Sequence, residues 1–166
     1  MAAGELMPQE PLDLIVDPMR VRDLNEIMII ERLSFSTPWS KGAFLSELLE
    51  NDRAHYLVAR MDGRAVGYVG IWLVADEGHI TNVAVHPDYR SRGVGRRLME
   101  AITDLARRRG ARRLTLEVRK SNLRAQRLYE SLGFRSVGVR RGYYRDNNED
   151  AIIMWRDLEV EAGSPH

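Results

Sequence analysis

A strand, a glycine-containing loop and the start of a long helix follow one another in Val83-Ala-Val-His-Pro-Asp-Tyr-Arg-Ser-Arg-Gly-Val-Gly-Arg-Arg-Leu98. Pro87 ends the strand, and apolar side chains at helical spacing begin at Val94. The first amides of such a helix have no partner within it, so an anion in the loop can accept their hydrogen bonds. Gly93 and Gly95 let the backbone approach a phosphate closely, because they have no Cβ. This stretch predicts an α/β protein with an anion-binding loop.

The loop differs from the two best-known phosphate motifs. It lacks the Gly-Lys-Ser/Thr of the Walker pattern and the third glycine of the dinucleotide-binding pattern. Positive charge is concentrated at its helical end, in Arg90, Arg92, Arg96 and Arg97. On the two glycines alone, a plain strand–helix connection remains the alternative interpretation.

Length and composition predict one domain of ordinary size. The chain has 166 residues, of which 44% are hydrophobic, so we expect a single domain over 1–166 with flexible ends at about 1–11 and 160–166. There is no cysteine, which excludes disulfides, thiolate metal sites and a cysteine nucleophile. The four histidines lack metal-ligand spacing and carboxylate-paired spacing, so no metal is expected. The absence of a signal peptide or long apolar run predicts a cytoplasmic protein with no membrane partner.

The charge distribution favours a small anionic ligand over a nucleic acid. The formal net charge is only +1, with 25 basic and 24 acidic residues. Nine arginines nevertheless lie between His86 and Arg113, whereas the first thirty or so residues are acidic. Because a nucleic-acid-binding domain usually carries a strong net positive charge, we expect no direct nucleic-acid partner.

Periodicity predicts the element order β-α-α-β-β-β-α-β-α-β-β. Helices are expected from Asp23, from the N-cap Ser40, over Gly93–Arg109 and over Asn122–Leu132. Turns are expected at Asp62-Gly63 and at Asp76-Glu77-Gly78. The predicted strands are Leu12–Val16, His55–Met61, the apolar run Ala65–Ala75, His79–Val85, Leu114–Val118, Phe134–Val139 and Ala151–Trp155.

A second motif follows in the stretch Leu116-Glu-Val-Arg-Lys-Ser-Asn-Leu-Arg-Ala-Gln-Arg-Leu-Tyr-Glu-Ser-Leu-Gly-Phe134. This stretch contains the pattern Asn-x-x-Ala-x-x-Leu-Tyr-x-x-x-Gly-Phe without a gap. With the spacing Arg90-x-x-Gly93-x-Gly95, it resembles the GCN5-related N-acetyltransferases, known as GNAT, over about half of the chain. The resemblance implies the GNAT acyl-CoA N-acyltransferase fold. This is a mixed, mostly antiparallel sheet of about seven strands, flanked by about four helices and splayed between the fourth and fifth strands.

Three further segments resemble the RimI-type ribosomal-protein-alanine N-acetyltransferases within that superfamily. They are Phe35-x-x-Pro-Trp-Ser, Leu116-Glu-Val-Arg, and Arg140-Arg-Gly-Tyr-Tyr with the later Glu149-Asp-Ala-Ile-Ile-Met. The resemblance implies transfer of an acetyl group from acetyl-CoA, the cosubstrate, to a protein N-terminus. The acceptor it implies is the terminal alanine of a small-subunit ribosomal protein.

The same resemblance implies which residues bind acetyl-CoA. Asn122 would cap its helix and hydrogen-bond the pantetheine arm, and a backbone amide near Val85 would meet the oxyanion. The full set of implied contacts is Val83, Ala84, Val85, Arg90, Ser91, Arg92, Gly93, Val94, Gly95, Arg96, Asn122 and Tyr129.

Two side chains are the candidate catalytic groups. A peptide α-amine has a pKa of about 7.7–8.0, so a base need remove only one weakly held proton, directly or through water. In Leu114–Val118 strand alternation places Thr115 and Glu117 on one face, and the resemblance implies that Glu117 is the base. It also implies that Tyr129 is the acid for the departing thiolate. An exposed strand glutamate and a core tyrosine are the structural alternatives.

Acceptor recognition is assigned to aromatic segments that wall the peptide groove in this family. Phe35, Pro38 and Trp39 lie in the break between the first two helices, and Tyr143 and Tyr144 lie in the loop before the last strand. Their alternative role is to cover the core. A narrow groove favours a flexible N-terminus over a lysine, whose pKa of about 10.4 makes deprotonation costlier.

Three functions stay open at this point. The first is acetylation of N-terminal alanine, and the second is the same chemistry on other N-termini, lysines or small amines. The third is a non-catalytic acetyl-CoA- or RNA-binding module that uses the arginine-rich helix end. The presence of both Glu117 and Tyr129 argues against the third.

Overall fold

The computed structural model describes residues 13–159, so the predicted flexible ends at about 1–11 and 160–166 lie outside the described residues. Four helices lie in this range: α1 (Leu24–Ser34), α2 (Lys41–Glu50), α3 (Val94–Arg108) and α4 (Leu123–Ser131). The strands are β1 (Ile15–Pro18), β2 (Ala54–Met61), β3 (Arg64–Val74), β4 (Glu77–Val85), β5 (Arg113–Arg119), β6 (Arg135–Tyr144) and β7 (Glu149–Asp157). The element order is the predicted one.

The seven strands form one mixed sheet in the order β1-β2-β3-β4-β5-β7-β6. All neighbouring strands are antiparallel except β4 and β5, which are parallel. The long connection between these two strands contains α3, as a parallel pairing requires. The predicted GNAT fold class, with about seven strands and about four helices, is therefore confirmed.

The β4–β5 pairing covers only the first part of each strand. Glu77–His79 pair with Arg113–Thr115, and the ladder stops there although β4 runs on to Val85. Beyond His79 the two strands diverge, which is the predicted splay between the fourth and fifth strands. The second half of β4 consequently has backbone groups on its β5 side that pair with no strand within residues 13–159.

The sheet is covered on both faces. On β2, Leu57, Ala59 and Met61 belong to a core shared with α3, whereas Tyr56 and Val58 belong to a core shared with α1 and α2. This alternation follows from the two-residue period of a strand. Both faces bury apolar side chains, so the sheet is a rigid base from which the splayed strand ends project.

Local signals place several element ends. The Ser40 side chain accepts a hydrogen bond from the Ala43 amide at 3.1 Å and so caps α2, as predicted. The turn Asp62-Gly63 has φ values of 51° and 78°, which are typical of the two central residues of a type I′ hairpin. These ends depend on interactions within a few residues of the chain.

Three predicted boundaries are wrong. The first strand begins at Ile15 rather than Leu12, and Leu12 lies outside the described residues. The second hairpin turns at Ala75, with φ 55°, because Glu77 already pairs with Val74. Tyr144 belongs to β6 rather than to a loop, because it pairs with Glu149.

Tyr143 also lies in β6, so the prediction that both tyrosines occupy a loop is wrong. The register of β6 shifts between Arg140 and Tyr144, and Gly142 in this bulge has φ 58°. A bulge bends a strand and redirects its side chains. The strand therefore continues through the bulge, and the tyrosines are carried towards the splay.

Candidate active site

Two pockets open where β4 and β5 diverge. The first, a cavity of about 490 Å³, lies between the end of β4, the start of α3 and α4. The second, of about 350 Å³, lies between the α1–α2 connection, β5 and β6. The residues that line both pockets are Ser34, Phe35, Val83, Asn122 and Tyr129. A molecule in one pocket can therefore meet a molecule in the other beside these side chains.

The first helical amides of α3 face the first pocket. Gly93 is the N-cap with φ 83°, and because glycine has no side chain this residue supplies no cap to the first amides. The Arg97 amide donates to the Gly93 carbonyl at 3.0 Å, so the amides from Val94 to Arg96 precede the helical ladder. Exposed amides at the positive end of a helix dipole attract an anion.

The two glycines of the loop have different roles. At Gly93 an added Cβ would meet nothing within 4 Å, and glycine is favoured there by the positive φ. At Gly95 a Cβ would lie 3.6 Å from Cδ2 of Leu128 and 3.8 Å from Cγ2 of Val85, which is ordinary contact. Packing of the protein therefore does not require glycine at position 95, and the room there is available to a ligand.

The predicted loop arginines do not act alike. Arg90 lines the first pocket, but its Nε donates to the Val85 carbonyl at 3.0 Å and its Nη2 lies 3.4 Å from Ser34 Oγ. It thus ties the end of β4 to the end of α1. Arg92 does not line the pocket, and its guanidinium lies 5.4 Å from the centre of the Tyr89 ring.

The structure adds one cation that the sequence analysis missed. Arg124, in the first turn of α4, lines the first pocket and donates a hydrogen bond to Ser91 Oγ. Arg96 also lines the pocket and donates to Ser131 Oγ at 2.6 Å. In the sequence, Arg124 could have been identified as a pocket residue from its position two residues after Asn122, in the first turn of α4.

Every residue predicted to bind the cosubstrate lines the first pocket, with the exception of Arg92. Asn122 also caps α4, since its Oδ1 accepts a hydrogen bond from the Ala125 amide at 3.1 Å, as predicted. The lining residues from the predicted set are Val83, Ala84, Val85, Arg90, Ser91, Gly93, Val94, Gly95, Arg96, Asn122 and Tyr129.

Tyr129 lies at the junction of the two pockets with 6% of its surface exposed. Its ring packs against Phe134 at a centroid distance of 5.9 Å. Burial and, to a smaller extent, the nearby Tyr144 raise the pKa of Tyr129. Its hydroxyl therefore stays protonated at neutral pH and can act as a hydrogen-bond donor.

Glu117 lies in the second pocket, and its side chain is paired with a histidine. His79 Nε2 lies 2.8 Å from Glu117 Oε1, and the Tyr143 hydroxyl lies 3.5 Å from the same oxygen. Glu117 Oε2 has no hydrogen-bond partner among residues 13–159. No sequence spacing indicated this pair, because the two residues are 38 positions apart and meet only across the diverging strands.

The environment keeps Glu117 ionised. Burial acts to raise its pKa, but the hydrogen bond and charge of His79 outweigh that effect, with help from Arg140 and Tyr143. The pKa of Glu117 is therefore lower than the ordinary value of 4.5. The carboxylate can accept a hydrogen bond at neutral pH, and only 10% of the side chain is exposed.

Aromatic side chains wall the second pocket, as the sequence analysis expected for the acceptor groove. Phe35, Trp39, Tyr143 and Tyr144 line it, whereas Pro38 is exposed and does not. Trp39 also packs against the core residue Phe44 at 5.3 Å. This tryptophan therefore both covers the core and forms a wall.

A buried carboxylate that the sequence analysis missed holds this wall. Glu31 is 1% exposed, and its Oε2 accepts a hydrogen bond from the Trp39 amide at 2.8 Å. Its Oε1 accepts a hydrogen bond from the Tyr68 hydroxyl. The sequence signal was an acidic residue at a buried helical position, next to Ile27 and Ile30. A buried charge needs such partners.

Other site types are not found in the described part of the chain. Residues 13–159 contain no group of three or more His, Asp or Glu side chains arranged to hold a metal ion. None of the helices in this range combines the length and the apolar character needed to cross a bilayer.

Comparisons with known proteins agree with this geometry. The model of the acetyltransferase (GNAT) family matches residues 24–134. A Bacillus subtilis protein with a provisional name as a ribosomal protein bS18-alanine N-acetyltransferase is 49% identical over 137 residues, or 82% of this chain and 91% of that protein. The ribosomal protein bS18-alanine N-acetyltransferase of Escherichia coli (strain K12) is 38% identical over 141 residues, or 84% and 94%.

The fold comparison gives the same result. The crystal structure of the ribosomal-protein-S18-alanine N-acetyltransferase from Escherichia coli superposes with a TM-score of 0.82 and 35% identity, covering 92% of this chain and 99% of that chain. The chain therefore belongs to the acetyltransferase (GNAT) family and is an N-acetyltransferase of the RimI type.

Proposed function

We propose that this enzyme transfers the acetyl group of acetyl-CoA to the N-terminal α-amine of a protein, with the terminal alanine of a small-subunit ribosomal protein as the acceptor. The observation that carries the proposal is the meeting of two pockets at Tyr129, with the ionised Glu117 in one of them. The named relatives act on ribosomal protein bS18, which supports this acceptor class and a cytoplasmic location.

The first pocket is the proposed acetyl-CoA site, and its donors fit the chemistry of that cosubstrate. The uncapped amides from Val94 to Arg96 can donate to the diphosphate, and Arg96 and Arg124 contribute positive charge. The half of β4 left unpaired by the splay can hydrogen-bond the amides of the pantetheine arm, as an added strand would.

The end of β4 supplies the proposed oxyanion donor. The His86 amide donates to the Val66 carbonyl at 2.8 Å, on the β3 side. Because strand amides alternate in direction, the Val85 amide points to the opposite side, into the gap between β4 and β5. Acetyl-CoA supplies the acetyl group as a thioester, and an amide fixed at this place can stabilise the negative charge that develops on its carbonyl oxygen.

Glu117 is the proposed base, acting directly or through water. The α-amine with a pKa of about 7.7–8.0 is mostly protonated at neutral pH. A carboxylate with a lowered pKa holds that proton only briefly, so Glu117 accepts it and passes it to solvent. The unpartnered Oε2 is the atom available for this contact, since His79 and Tyr143 both use Oε1.

Tyr129 is the proposed donor to the leaving sulfur. The deprotonated amine nitrogen forms a bond to the acetyl carbon and releases its second proton to solvent, while the carbon–sulfur bond breaks and the electron pair of that bond stays on sulfur. The protonated Tyr129 hydroxyl donates to this thiolate, which in an ordinary thiol has a pKa of about 8.5. The Tyr129 proton is replaced from solvent, so the enzyme returns to its starting state.

The acceptor class can be tested with two synthetic peptides. One begins with a free alanine, and the other has the same sequence with a blocked N-terminus and an internal lysine. We expect mass spectrometry to find one added acetyl group on the first peptide and none on the second, because a flexible chain end enters a narrow groove most easily. Equal acetylation of the lysine peptide would favour the lysine alternative, and no acetylation of either would contradict the proposal.

The role of Glu117 can be tested by pH dependence. His79→Ala removes the hydrogen bond that lowers the pKa of Glu117, so burial raises that pKa. As the pH is lowered, the Glu117 carboxylate should therefore become protonated at a higher pH than in the wild type. The fall in kcat/KM should shift to higher pH by the same amount. In His79→Asn, which keeps a hydrogen-bond donor, we expect kcat/KM to fall at a pH between those of the wild type and His79→Ala. In Glu117→Gln we expect kcat/KM to be about 100-fold lower, or more, at every pH. The measurement is kcat/KM between about pH 5 and 9.

Superimposable pH profiles of the wild type and His79→Ala would contradict the assignment of the ionised Glu117 as the working form. Full activity of Glu117→Gln would remove this residue from the reaction altogether.

The role of Tyr129 can be tested by removing only its hydroxyl. Tyr129→Phe keeps the packing against Phe134, so we expect calorimetry to find an acetyl-CoA affinity within about twofold of the wild type. Loss of the donor to the leaving thiolate should lower kcat by more than about tenfold. An unchanged kcat would exclude Tyr129 as the acid.

A further inference from the structure

Arg119, the last residue of β5, is bonded to the hairpin that connects β6 and β7. Its Nη2 lies 2.9 Å from Asp146 Oδ2, and its Nη1 lies 3.1 Å from Glu149 Oε1. Its guanidinium also stacks 4.0 Å from the centre of the Tyr144 ring. The side chains of Arg119 and Asp146 are 27% and 19% exposed, so this pair is partly shielded from water. Arg119 thereby fixes the position of the Asp146 carboxylate.

The same carboxylate oxygen reaches the opposite wall of the second pocket. Ser36, in the connection between α1 and α2, donates a hydrogen bond from Oγ to Asp146 Oδ2, across 110 residues of sequence. Its two neighbours, Phe35 and Thr37, line the pocket. On the other side, Tyr144 lines the pocket two residues before Asp146. The Ser36–Asp146 contact therefore joins the two walls of the proposed acceptor groove.

The other hydrogen bonds of this connection that involve its backbone lead back to α1. Within residues 35–39, the Phe35 amide donates to the Glu31 carbonyl at 3.0 Å, and the Trp39 amide donates to Glu31 Oε2 at 2.8 Å. Both bonds tie the connection back to α1. Among the described residues, the hydrogen bond from Ser36 Oγ to Asp146 is the one that connects this segment to the β6–β7 hairpin.

We propose that Asp146, oriented by Arg119, is a positioning residue that holds the α1–α2 connection through Ser36 and sets the width of the acceptor groove. This inference rests on the proposed function, because it treats the second pocket as the groove for a peptide N-terminus. Fixing both walls before the acceptor arrives removes an ordering cost from binding. Neither Ser36 nor Asp146 lines the first pocket, the proposed acetyl-CoA site, so the tie can affect acetyl-CoA only through Phe35 and we expect a smaller effect there.

The test compares Ser36→Ala, Asp146→Ala and the double variant. We expect each single variant to raise the KM for an N-terminal peptide about three- to tenfold, as for the loss of one exposed hydrogen bond of ordinary strength. The KM for acetyl-CoA should stay within about twofold, and the double variant should be no worse than Asp146→Ala alone, because both changes remove one interaction. Ser36→Thr, which keeps the hydroxyl, should behave like the wild type.

A matched control breaks an ion pair elsewhere. Asp104 lies 3.6 Å from Arg107 on α3, outside both pockets, so Asp104→Ala should leave both KM values unchanged. If Asp146→Ala does not fold, Ser36→Ala carries the test, since it removes one hydroxyl from an exposed residue. An unchanged peptide KM, or fully additive effects in the double variant, would overturn the proposal.

Hydrogen exchange provides a readout that does not require an acceptor. In Ser36→Ala and in Asp146→Ala, the amides of Phe35 and Trp39 should exchange faster than in the wild type, because the connection opens more often. Unchanged exchange at both amides would overturn the role of Asp146. If the wild type acetylates no N-terminal peptide, the proposed function fails, whereas the exchange comparison still decides whether Asp146 holds the connection.

Discussion

The divergence of β4 and β5 after three residue pairs is the constraint on which the rest of the site depends. A continued ladder would use the backbone groups of β4 beyond His79 and close the space between the strands. The divergence instead leaves the Val85 amide facing a gap, with a pocket on each side and Tyr129 between them. One backbone feature thus supplies the unpaired donors and the meeting point that transfer between two bound molecules requires.

Two carboxylates near this gap, the buried Glu31 and the partly buried Glu117, have different surroundings and, in the proposed mechanism, different tasks. Both oxygens of Glu31 accept hydrogen bonds, from Trp39 and Tyr68, so this carboxylate holds a wall of the second pocket. Glu117 uses one oxygen for His79 and keeps the other without a partner in the described part of the chain. An oxygen without a partner, more than burial, distinguishes the proposed reactive carboxylate from the structural one.

Sequence predicted what local interactions determine and missed what distant strands bring together. The caps at Ser40 and Asn122 and the fold class followed from residues a few positions apart or from motifs within one stretch. The pairing of His79 with Glu117 did not, because its register depends on how two diverging strands are arranged. The placement of Tyr143 in a strand was missed as well, since the bulge that carries it depends on pairing with β7.

The central claim is that acetyl-CoA lies along the unpaired half of β4, and hydrogen exchange with and without this cosubstrate tests it most directly. We expect saturating acetyl-CoA to slow exchange at the amides of Val85 and of Val94 to Arg96, because these donors then acquire acceptors. Saturable binding with no protection at these amides would contradict the account, as would the absence of binding.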